Sequence, residues 1–241
     1  QETMPDEVRY AAQRYARALS LLITNYPDSP YRDWAVFQHA EINRTLGRYA
    51  EAAAVYASVA QGDPEYAQAA FLTGNCYWLE ALRLAAQPSD ADKAKECRDR
   101  AAEQLTRFME WWKDAEMNNP PQRCEKIRPW AGRAAAVLGE IYTFEKWPEP
   151  EKALAVLDGF EERFRPAEAA LRNSVLFSRI QANRYLGRLA DAERYVDRLI
   201  EGAGDPHLAR SAARLMGKPW FLEMKSLHSR GEAAAAAEAG Q

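Results

Sequence analysis

The sequence predicts an all-α protein of about ten to twelve antiparallel helices, and three observations lead there. Alanine, leucine, glutamate and arginine fill long stretches with apolar residues three and four apart, the spacing of a helix with one buried face. No run alternates β-branched and polar residues between hairpin turns, as strands would. An internal repeat is also present: residues 43–52 read NRTLGRYAEA and residues 183–192 read NRYLGRLADA, sharing Asn-Arg-x-Leu-Gly-Arg-x-Ala-acid-Ala. The copies lie 140 residues apart, about four times a period of about 34–35 residues.

Taken in order, helices are expected near 5–25, 30–46, 49–61, 64–86, 90–118, 128–145, 149–164, 167–186, 189–202 and 206–216, with one or two more to the end. Asp28-Ser29-Pro30 and Asp63-Pro64 each offer a capping side chain followed by proline for a first turn. Gly47 and Gly187 stand where a helix would end in a left-handed residue. Pro88-Ser89-Asp90 closes one helix and starts the next. Short connections make successive helices antiparallel neighbours. The least regular joint runs from Met117 to Pro129 (MNNPPQRCEKIRP), so a single domain over 1–241 is expected, with sub-lobes 1–119 and 120–241 as an option.

Composition narrows the function. The chain is 47% hydrophobic and 28% charged, values of a folded globular protein. A formal charge of −3 without a basic stripe argues against nucleic acid as a partner. No apolar run approaches the roughly 20 residues needed to span a bilayer. No basic-then-apolar leader opens the chain, and it starts at Gln1 rather than methionine, which leaves open a removed leader or a longer N-terminal region.

Signs of catalysis or cofactor binding are missing from the pattern. Cys76, Cys97 and Cys124 have no CxxC spacing. Cys76 and Cys97 would be offset by about 7 Å along a hairpin centred on Ser89, beyond disulfide reach once the gap between helices is added. His39, His207 and His228 are scattered, and His39 falls at a position usually inside the hairpin, as a core histidine with a hydrogen-bond partner would. Gly217-Lys218 lacks the upstream glycine of a phosphate loop, and no GxSxG is present. Glu41 and Glu140 occupy equivalent repeat positions, yet residues three repeats apart are too distant for paired acid–base work. No metal, cofactor or enzymatic activity is expected.

The segment from Asp33 to Tyr66 resembles the tetratricopeptide repeat. Ala40 matches the small residue of a first helix, Gly47 and Tyr49 the turn, Ala52 and Tyr56 the second helix, and Pro64 the exit. Weaker matches follow at Gly74 and Tyr77, then Ala101, Leu105 and Phe108; at Leu138, Gly139 and Tyr142, then Ala153 and Leu157; and at Gly187, Leu189 and Ala192, where Ile180 replaces the small residue. The run from Tyr26 to Trp78 is similar to repeats of bacterial envelope proteins, those of the outer-membrane assembly lipoprotein and the Tol–Pal-associated coordinator. That shifts the expected location slightly toward the periplasm.

The resemblance implies a right-handed αα superhelix whose first helices line a concave groove. On this chain the groove would receive Trp34, Phe37, Glu41 and Arg44; Phe71, Asn75 and Trp78; Arg133 and Glu140; and Phe177, Gln181, Arg184 and Tyr185. Aromatic anchors among alternating charges suit a protein or peptide segment as partner. Aromatics at such spacing are more often core than binding surface, and Arg44 and Arg184 more often solvated or salt-bridged turn residues. A chaperone-tail clamp is disfavoured, because Phe37 and Glu41 stand where lysine and asparagine would be needed and only Asn75 survives in the next unit. The expectation is a scaffold or adaptor. The alternative is a spacer or self-assembling module using the alanine-rich stretch Gly231–Gln241. Trp111 and Trp112, on the unusually long helices of 64–117, are left between a contact surface and the cover of a lobe joint.

Overall fold

The computed structural model describes residues 5–118, 120–165, 168–201 and 206–216. Among these every regular element is helical and no strand occurs, the all-α class expected. The helices are α1 (Asp6–Asn25), α2 (Arg32–Thr45), α3 (Tyr49–Tyr56), α4 (Tyr66–Ala85), α5 (Ala91–Asn118), α6 (Pro121–Thr143), α7 (Pro150–Leu157), α8 (Phe160–Arg163), α9 (Ala169–Tyr185), α10 (Leu189–Glu201) and α11 (Pro206–Leu215). A 3₁₀ turn, Pro88–Asp90, links α4 to α5. None of these helices is long and apolar enough to cross a membrane. His228, Gly217-Lys218 and Gly231–Gln241 lie outside the described residues, as does the side chain of His207.

Two compact units are present, Gln1–Ala134 and Ala135–Gln241, and the change falls within α6. The stretch 117–129, expected as an irregular joint, is mostly helical. Pro121 occupies the first residue of α6, where a missing N–H breaks no intrahelical bond, so the double proline starts a helix instead of a loop. Pro129 sits inside that helix and leaves one carbonyl of the preceding turn without its backbone donor.

In the first unit each helix from α1 to α5 packs on the next. The pair α4 and α5, of 20 and 28 residues, forms the largest part of its core. Ala94, Arg98, Ala101, Leu105, Phe108, Trp112 and Ala115 make the buried stripe of α5, three or four residues apart. The opposite face carries Lys95–Asp99, Arg100–Glu96 and Arg107–Glu103 pairs one turn apart. Gly74 sets how closely α4 and α5 approach: a Cβ there would lie 2.5 Å from Leu105 Cγ. Trp112 is buried, and Trp111 stacks on Phe108 at 5.8 Å and meets Tyr66 edge-on at 4.8 Å, so both tryptophans pack inside this unit.

Helix α3 stops at Tyr56 instead of continuing to residue 61, because the Ser58 hydroxyl donates to the Val55 carbonyl at 2.7 Å and competes with the backbone ladder. In the second unit α9 packs on α7, α10 and α11. Leu176, Ile180, Ala192, Val196, Leu199 and Ala212 form its core cluster. The helix expected over 149–164 is two helices, since Gly159 takes a left-handed φ of 60° between α7 and α8. Gly139 repeats the part of Gly74: a Cβ there would stand 2.9 Å from Leu157 Cδ1.

Candidate functional site

The repeated decapeptide builds the same helix end twice. Gly47 and Gly187 have φ of 74° and 70°. Arg48 N–H donates to the Asn43 carbonyl at 2.8 Å, and Arg188 N–H to the Asn183 carbonyl at 2.8 Å. Gly47 and Gly187 N–H donate to Arg44 and Arg184 carbonyls at 3.1 and 3.0 Å. This is the Schellman arrangement, which satisfies the last carbonyls of the first helix and turns the chain into the second. Ala52 and Ala192, five residues past each glycine, are fully buried where the helices cross.

Behind the first turn, two of the groove residues face each other. Glu41 Oε2 accepts from Arg44 Nη2 at 2.8 Å and Nε at 3.2 Å, and Glu41 Oε1 accepts from the buried Tyr56 hydroxyl at 2.6 Å. Burial pushes the Glu41 carboxyl up, but the bonds from Arg44 and Tyr56 outweigh it and hold the group below its ordinary 4.5. Burial and the bond to Glu41 raise the Tyr56 phenol. The neighbouring Cys76 thiol is pushed up to about 12, chiefly by burial, so it stays protonated and unreactive at neutral pH. All three cysteines are free thiols. His39 is half-buried and shares a 3.3 Å hydrogen bond with Asn43 through Nε2, with burial lowering its pKa.

Trp34 and Phe37 open on a different feature. Between the start of α2 and the chain joining α3 to α4 lies a cleft of about 430 Å³. Trp34, Val36, Phe37 and Val59 supply its apolar walls, and Asp33, Asp63 and Glu65 supply carboxylates, with Arg32 at one edge. Trp34 is 52% exposed, an unusual state for the largest side chain available. Phe37 is held edge-on by Tyr56, with ring centres 5.7 Å apart. Arg32 Nη1 is 3.5 Å from Asp33 Oδ1. Asp63 Oδ1 accepts from the Glu65 N–H at 3.0 Å. The Asp63 carboxyl beside it lifts the pKa of the Glu65 carboxyl above 4.5, with burial and the charge of Asp33 adding to the rise.

The other expected groove residues are placed differently. Phe71 and Trp78 are 7% and 5% exposed and belong to the core of the first unit, Phe71 against Trp130 at 5.7 Å. Asn75, between them on α4, is half-buried. The Arg133 guanidinium lies over the Trp130 ring at 4.8 Å. In the second unit Glu140 Oε1 accepts from the Ser174 hydroxyl at 2.6 Å, Phe177 packs against the core cluster and Gln181 is half-buried. Exposed Arg184 lies over the Tyr185 ring at 5.8 Å.

Two sets of residues escape a reading of the sequence. The rim residues Asp63 and Glu65 read as part of a helix start, and nothing local reveals that they return to α2. Arg179 and Glu161, on different helices, form an ion pair with side chains 8% and 24% exposed. Arg179 Nη1 donates to Glu161 Oε1 at 2.6 Å and Nη2 to Oε2 at 3.0 Å, while Nη2 also bonds the Leu157 carbonyl at 2.5 Å. Arg198 reaches the same carboxylate at 3.2 Å, and the guanidinium carbons of Arg179 and Arg198 lie 5.4 and 5.7 Å from the centre of the Tyr195 ring. Among the described residues no group of three or more histidine, cysteine and acidic side chains could hold a metal ion. Comparison with known proteins finds no family model that matches the sequence and no curated protein similar to it.

Proposed function

We propose that the protein is a scaffold that holds a segment of another protein, its hairpins stacked as a tetratricopeptide-like right-handed superhelix, with binding rather than catalysis as its task. The observation that carries this reading is Trp34, half out of the structure beside a cleft with apolar walls. Exposed tryptophans next to a preformed concavity are typical anchors of protein interfaces. The repeated turn supports the hairpin frame, since two distant segments close in the same hydrogen-bond pattern. Glu41 and Arg44 satisfy each other and serve the hairpin, so within the first hairpin Trp34 and Phe37 are left to meet a partner. Phe71 and Trp78 are core, and replacing them would measure stability.

Trp34→Ala should weaken the affinity for a partner purified from the native source by about tenfold or more, with helical circular dichroism unchanged. Undiminished affinity in that variant overturns the assignment. One observation favours a second reading, self-assembly: α1 packs on α2 and leaves Val8, Tyr10, Tyr15 and Leu21 exposed. Sedimentation velocity that rises with concentration would support it, and a constant monomer value would remove it.

A further inference from the structure

The cleft is lopsided in charge. Three carboxylates, from Asp33 on α2 and from Asp63 and Glu65 ahead of α4, stand on its rim against Arg32. Arg32 leans on Asp33 at 3.5 Å, while Asp63 accepts from the Glu65 backbone N–H at 3.0 Å and neither of these last two carboxylates pairs with a cation among the described residues. Like charges gathered on one rim repel one another, and a cation seated among them would relieve that repulsion. Directly beside them are the apolar faces of Trp34, Phe37 and Val59.

Resting on the scaffold reading above, we propose that this cleft receives a lysine or arginine side chain of a partner polypeptide, next to an aliphatic or aromatic residue of the same segment. The long stem of such a residue lies along an aromatic wall while its charged head reaches the carboxylates, and a guanidinium or ammonium over an indole gains further attraction. Charge-assisted hydrogen bonds to the Asp63 and Glu65 oxygens are of the stronger kind. An acidic segment would meet three like charges at the same rim.

The test is selection of short random peptides displayed on phage against the full chain, followed by calorimetry on synthetic copies of those selected. Peptides pairing lysine or arginine with a neighbouring Leu, Ile or Phe are expected. Their affinity should fall about tenfold or more in the double variant Asp63→Asn, Glu65→Gln, and again in Trp34→Ala, with helicity kept. Selected peptides without a basic residue, or binding indifferent to the double variant, overturn the cation assignment and leave peptide capture standing. Binding that survives Trp34→Ala places the peptide elsewhere and overturns both assignments to the cleft. A selection that yields no binder sinks the scaffold reading with it. Self-association abolished by the double variant would make the occupant a second copy of this chain and overturn the proposal.

Discussion

The hairpin α2–α3 and the hairpin α9–α10 share a turn and differ in what fastens the helices behind it. Both end their first helix on a left-handed glycine and both bury an alanine at the crossing. At matching positions, Ala40 becomes Ile180, His39 becomes Arg179, Glu41 becomes Gln181 and Tyr56 becomes Val196. The first hairpin is held by a half-exposed Glu41–Arg44 pair and a tyrosine bonded to it. In the second, the polar fastening has moved to a buried arginine that reaches back to α7 and α8. Backbone geometry is therefore set by a few small residues, and the polar chemistry around it is free to differ. The depth of each ion pair, more than its presence, decides what losing it costs.

The widest separation between the two hairpins should come from neutralising their carboxylates. Glu161→Gln leaves the Arg179 guanidinium, 8% exposed, without its counter-charge, and about 3 kcal/mol of stability should be lost. Glu41→Gln keeps an acceptor for Tyr56 and removes the charge from a pair whose side chains are 35% and 36% exposed, so the loss should stay below about 1 kcal/mol. Urea denaturation followed by circular dichroism measures both. Equal losses would mean that burial does not separate the two fastenings. Both carboxyls sit below 4.5 when folded, so the stability they add is complete above that pH. It drains away as pH falls through their folded values, with the larger share lost in the second hairpin.

The next contrast is a sameness. Gly47 and Gly187 hold φ of 74° and 70°, where any Cβ is strained, yet neither would find an atom within 4 Å of an added Cβ. Gly47→Ala and Gly187→Ala should therefore cost about 1 kcal/mol each, by backbone strain alone. A thermal melt of each variant checks this, and a large difference between them would break the common frame. Gly74→Ala serves as the contrast in kind, because its cost comes from collision with Leu105.

What was legible in the sequence follows from which forces act locally. The helices and the two turn glycines were readable, since periodicity and turn chemistry act within one hairpin, whereas the close approaches at Gly74 and Gly139 show only in the packing. The start of α6 was not, because Pro120-Pro121 reads as a loop until its second proline is seen to sit at a helix start. Phe71 and Trp78 read as groove anchors because helical spacing tells which residues share a face, not what covers it. Trp130 of α6 covers Phe71. The carboxylates of the cleft were hidden for a similar reason: Asp63 and Glu65 meet α2 only once the loop after α3 has folded back.

The smallest effect belongs to the residue that has no titrating counterpart in the other hairpin. His39 titrates below its ordinary 6.5, first through burial and then through Arg48, with Glu51 pulling partly the other way. With the proton on Nδ1, Nε2 accepts from the Asn43 amide, and protonating the ring sets donor against donor. The unfolded chain takes up this proton at a higher pH than the folded one, so stability is full above 6.5 and declines as pH falls below it. The equivalent place in the second hairpin holds Arg179. A melting temperature that drops between pH 6.5 and 5 in the natural chain should flatten measurably in His39→Gln, whose amide can still bond Asn43. An unchanged slope would assign the acid response to other groups and remove His39 from the difference between the hairpins.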